Sequence, residues 1–118
     1  MIRPCEEVAV YLCRDAIDMR KSIDGLAVLV EQELGLDPFG PALYVFCNRK
    51  RDKIKALYWE RAGFVLWYKR LEKHRFPWLG GSGAESERFT GRELNWLLDG
   101  IDIFKMQPHE TLSFETVL

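Results

Sequence analysis

Residues 8–13, VAVYLC, form the first apolar run of the chain, and their shortness and β-branched content predict a strand buried on at least one face. The period then changes. Ile23, Leu26, Ala27, Val30 and Leu34 recur at three- and four-residue steps, which predicts an amphipathic helix over 19–34, with Asp18 as its N-cap and Gly35 as its left-handed stop. Two prolines in the stretch LDPFGP, 36–41, forbid regular structure, and strands over 43–47, 53–60 and 64–71 follow as an antiparallel meander. Thr90 with Glu93 three residues later is a capping box. Leu94, Leu97 and Leu98 supply the buried stripe of the short helix that Gly100 ends. Glycines mark 79–88 as a flexible loop; it lacks the Lys-Ser/Thr pair and the strand-to-helix setting of a phosphate loop. From 102 onward the pattern favours neither period. The order of elements predicts one α+β domain spanning 1–118.

The hairpin inside the meander carries the chemistry. Glu60-Arg61-Ala62-Gly63 suits a three-residue loop with Gly63 left-handed, a register in which Glu60 faces Phe64 and Lys55 faces Lys69. One face then holds Ile54, Ala56, Tyr58, Phe64, Leu66 and Tyr68 and packs on the first helix. The other gathers Lys53, Lys55, Trp59, Trp67 and Lys69, where ammonium groups meet phosphates and indoles stack on bases. In the competing reading the two tryptophans are packing aromatics covered by the glycine-rich loop or the C-terminal helix, and the lysines snorkel to water.

Charge enters because it is uneven. The whole chain of 118 residues has a formal charge of −1, yet residues 49–75 hold ten Lys or Arg against three acids, a net +7, and the remainder seven against fifteen, a net −8. Such asymmetry within one domain points to a polyanion-binding face. It extends the candidate nucleic-acid-binding set to the turn cations Arg49, Lys50 and Arg51 and to Arg70, Lys73 and Arg75 beyond the hairpin. The charged N-terminal thirty residues and the lack of a long apolar run point to a cytoplasmic protein without a membrane span. Cys5, Cys13 and Cys47 have no zinc-knuckle spacing and read as reduced thiols.

Catalytic patterns are absent: His109-Glu110 lacks the second histidine of a zinc hydrolase, and no serine occupies a nucleophile elbow. Asp15, Asp18, Asp24 and Asp37 leave a two-metal nuclease as an alternative, although Asp18 reads as a helix cap, Asp24 lies in the second turn of that helix and Asp37 precedes a proline in a turn. No catalytic residue, metal or cofactor is therefore assigned.

Three blocks, DMRKSIDGL at 18–26, DPF at 37–39 and LYVFCNRKRDKIKALYWERAGFVLWYKRLEKHRFPW at 43–78, resemble the TnpB-type accessory protein of the insertion sequence 66 family of bacterial transposable elements. The resemblance implies a non-catalytic protein that assists transposition beside a separate, larger transposase, with element DNA, the transposase and other accessory proteins of the element as partners. Joined to the residue pattern, it predicts DNA binding through the basic aromatic hairpin. The alternative is an adaptor that holds the transposase through the same face, or through Glu31 and Glu33, without touching nucleic acid.

Overall fold

The computed structural model describes residues 3–79 and 86–105. Strands β1 (Ala9–Cys13), β2 (Ala42–Cys47), β3 (Lys53–Glu60), β4 (Gly63–Arg70) and β5 (Ser86–Thr90) form one mixed sheet in the order β4-β3-β2-β1-β5. β1 and β2 run parallel and are joined through helix α1 (Ile23–Gln32); the other neighbours are antiparallel. Helix α2 (Gly91–Leu98) follows β5 directly, and a single 3-10 turn, Ile103–Lys105, lies beyond it. This is the α+β fold and the meander that the sequence predicts. β5 is an addition, because 86–88, read as part of a loop, open a strand, while Leu79 is buried and 80–85 lie outside the described residues.

Two cores sit on the two faces of the sheet. Val10, Leu12, Val45, Ile54 and Ala56 meet Leu94 and Leu97 of α2 together with Phe76 and Leu79. On the other face Tyr44, Phe46 and Leu57 meet Leu26, Leu29 and Val30 of α1. β1 is interior to the sheet and covered on both sides, which is why its sequence alternates so poorly.

α1 is shorter than its apolar stripe. Asp18 does not cap it: the carboxylate instead accepts the backbone N–H and guanidinium of Arg20, and Ser22 stands at the N-cap without a side-chain capping bond to the described residues. Lys55 explains the late start, since its Nζ takes the carbonyls of Met19 and Lys21, both at 2.7 Å. The C-terminal stop is as expected, with Gly35 at φ 66° and Leu36 N–H returning to Val30 O.

The capping box of α2 forms, with Glu93 N–H donating to Thr90 Oγ1 and Thr90 N–H to Glu93 Oε1. Gly91 opens the helix against 5–8, where a Cβ would lie 1.7 Å from the Cys5 carbonyl oxygen. Only a residue without a side chain permits that approach.

Candidate nucleic-acid interface

The hairpin closes one residue tighter than its sequence suggests. Glu60 pairs with Gly63, so the loop is Arg61-Ala62, and the left-handed backbone falls on Arg61 at φ 51° rather than on Gly63. A slip of one residue exchanges faces along a strand relative to its partner. Lys55 therefore lies opposite Tyr68, and Lys69 opposite Ile54, so the expected Lys55–Lys69 pair does not exist. Trp59 and Trp67 also separate. Trp59 joins Phe39 and Phe64 in a ring cluster with centroids 5.0–5.2 Å apart on the α1 face, whereas Trp67 packs with Tyr58 against the α2-side core. Ile54, Ala56 and Tyr58 face α2 rather than α1; Phe64 and Leu66 face α1 as predicted.

Several expected phosphate ligands have structural work instead. Lys55 Nζ anchors the approach to α1, and lies 5.9 Å from the Tyr68 ring centroid. Lys69 Nζ donates to Leu98 O at 3.1 Å, placing a cation on the negative end of α2. Lys53 is paired with Asp52 and Arg70 with Glu72. Arg51 is half-buried at φ 64°; its guanidinium lies against the Cys47 thiol and its buried Nη1 has no hydrogen-bond partner among the described residues. Burial pushes the thiols of Cys47 and Cys13 up to about 11.

The remaining cations come together through the backbone. Asn48 organises the β2–β3 turn: its Oδ1 accepts the N–H groups of Asp52 and Lys53, and its Nδ2 donates to Asp52 Oδ1 at 2.7 Å, the first cause of that carboxyl's lowered pKa. The segment after β4 is then laid against this turn, with Leu71 N–H on Asp52 O and Phe76 N–H on Arg51 O. Residues 72–75 loop out between those two bonds. Arg49, Lys50, Lys73 and Arg75 are thus exposed at one end of the sheet, with no ion pair among the described residues. A pocket of about 280 Å³ bounded by Ala16, Ile17, Asp18 and Arg49 opens at the same end, beyond the carboxyl ends of the parallel strands β1 and β2. Asp18 there is held near pH 2 by its hydrogen bond from Arg20.

Of the eleven residues the sequence nominates, four form this exposed cluster, while Arg51 and Lys53 border it from within the turn and Arg70 from the end of β4. Lys55, Lys69, Trp59 and Trp67 are distributed over both faces. The sequence reading missed Asn48 as the organiser, although an Asn four residues before an Asp in a turn is a signal for side-chain-to-backbone bonding. It also missed the Phe39 ring, which is 54% exposed.

A five-stranded α+β sheet with Arg49, Lys50, Lys73 and Arg75 clustered at one end defines a class of small protein whose most distinctive surface is electrostatic; among the described residues no group of His, Cys, Asp or Glu is arranged to hold a metal. Comparison with known proteins gives that class its family. The chain belongs to the IS66 Orf2-like proteins, whose family model matches residues 8–108, and with that membership the protein takes its place among the accessory proteins of insertion-sequence transposition. It is 32% identical over 111 residues to the uncharacterized protein y4hO of Sinorhizobium fredii, covering 94% of both chains. It is 30% identical over 76 residues to y4jC of the same organism, covering 64% of this chain and 65% of that one. No solved structure matches. Among the described residues no helix is long and apolar enough to cross a membrane.

Proposed function

We propose that this accessory protein assists transposition by holding element DNA in the cytoplasm, without chemistry of its own, through the cationic end of the sheet. Arg49, Lys50, Lys73 and Arg75 supply the phosphate contacts, with Lys53 and Arg70 behind them. The observation that carries the reading is the pair of backbone hydrogen bonds from Leu71 and Phe76, which fixes two separate cationic loops side by side. Fixed cations gain more from a polyanion than mobile ones, because less side-chain and loop entropy is lost on binding. With Trp59 and Trp67 on opposite faces, no two-indole platform supports stacking on a single strand, so the reading is one of duplex backbone recognition.

The test is a salt-titrated binding series with terminal element DNA, unrelated duplex and single strand, with and without the transposase. Arg49→Ala, Lys50→Ala, Lys73→Ala and Arg75→Ala each weaken duplex binding irrespective of sequence, and each reduces the slope of log K against log salt by about one. An unchanged slope in the quadruple variant removes this end of the molecule from the interface. The exposed ring of Phe39 beside Trp59 and Phe64 favours a second reading, an adaptor for the transposase, and binding of transposase by the quadruple variant at full strength would separate the two activities.

A further inference from the structure

The two edges of the sheet are built differently. β5 is five residues long and carries Glu87 and Arg88, the short charged edge that discourages pairing. β4 is eight residues long, pairs with β3 without a bulge, contains no proline, and is uncharged from Gly63 to Tyr68. Glu60 and Gly63 close a two-residue loop and are therefore a hydrogen-bonded pair; the bond from Leu71 N–H to Asp52 O continues the same alternation. Gly63, Val65, Trp67 and Lys69 thus spend their backbone groups on β3. Phe64, Leu66 and Tyr68 point theirs outward, where no described strand meets them.

We propose that the occupant of this edge is a second copy of the same chain, with β4 pairing antiparallel to β4 about a two-fold axis at Leu66. The strand is complementary to itself in that register. Leu66 faces Leu66, the outward groups of Phe64 meet those of Tyr68, and about six backbone hydrogen bonds form. On the α1 face the Phe64 and Tyr68 side chains become cross-strand neighbours; on the α2 face Val65 lies opposite Trp67, an aromatic and β-branched pair of the favourable kind. Charge agrees with this register: Lys69 falls opposite Gly63 and Arg70 opposite Ala62, so no like charges confront each other. Centring the axis on Tyr68 instead leaves Gly63, Phe64 and Val65 opposite residues beyond the end of the strand. Tyr68, 49% exposed at the open edge, is a side chain that the pairing would cover. The product is a continuous ten-stranded sheet whose two cationic ends face opposite ways, and it is independent of whether those ends hold DNA.

Two experiments decide it. Light scattering across a concentration series should give twice the 13.8 kDa monomer mass, and Tyr68→Pro, which deletes an outward N–H and none directed at β3, should weaken association at least tenfold while the monomer still melts cooperatively. In a Cys5→Ser background, Leu66→Cys should cross-link to a covalent dimer under oxidised glutathione, since facing residues of a hydrogen-bonded pair have Cα atoms about 5.5 Å apart, and Val65→Cys should not. A monomeric mass at every concentration overturns the proposal and leaves the edge to a different chain. So does a dimer that fails to cross-link at 66, whether or not Tyr68→Pro folds.

Discussion

Asn48 shows how much one polar side chain can decide. It is 9% exposed, satisfies two backbone N–H groups and one carboxylate oxygen, and so shapes the turn that displays Arg49 and Lys50. Asn48→Ala leaves those donors without their acceptor and should cost roughly 2–3 kcal/mol in urea melts, against less than about 0.5 kcal/mol for Arg49→Ala or Lys50→Ala. Thiol chemistry reports on the same region. Cys5 is exposed while Cys13 and Cys47 are buried, so a thiol reagent near pH 8 should label one cysteine in the native protein and three after unfolding. Both buried thiols titrate near 11 instead of the ordinary 9; a group with a raised pKa in the folded state gives stability that is present below about pH 9 and drains away as pH climbs toward 11. The nature of the candidate residues was legible in the sequence; their employment was not. Lys55 and Lys69 read as free cations because nothing local shows that the carbonyls of Met19, Lys21 and Leu98 end up within reach.

At the level of elements, periodicity located every strand of the meander within about a residue, and the capping box located α2. The β3–β4 register failed on a single backbone angle. Gly63 was the natural residue for positive φ, and Arg61 took it, so the loop lost one residue. A left-handed arginine costs about 1 kcal/mol that glycine does not, and Arg61→Gly should therefore raise the stability of the hairpin by several tenths to 1 kcal/mol, measured by urea or thermal melts, whereas Arg61→Val should lower it. β5 escaped notice for a different reason: SERFT pairs on one side only and needs no run of apolar side chains, so an edge strand of this length leaves little hydrophobic pattern to find. The two tryptophans can be sorted by the same logic. Truncating Trp67 to alanine opens the α2-side core and should destabilise by roughly 3–5 kcal/mol, with Trp59→Ala costing less because its cluster includes a ring open to solvent.

Over the whole molecule, a net charge of −1 conceals a directional surface, because the basic turn and the segment after β4 converge on one end of the sheet. The charge asymmetry was plain in the sequence; its convergence depends on the hydrogen bonds from Leu71 to Asp52 and from Phe76 to Arg51, between residues far apart in the chain, which no local pattern encodes. The placement of β1 has a further consequence, for synthesis. This strand leaves the ribosome before the other four but lies inside the sheet, and it gains its second neighbour only when β5 emerges, with Leu94 and Leu97 close behind to cover Val10 and Leu12. Until β5 and α2 are made the nascent chain therefore exposes an apolar strand that its own later residues have yet to shield, which makes it a natural client for chaperones that act on unfinished polypeptides. Arrested chains ending at residue 85 should be cleaved rapidly in a pulse of protease, and chains extended past α2 and clear of the exit tunnel should resist it.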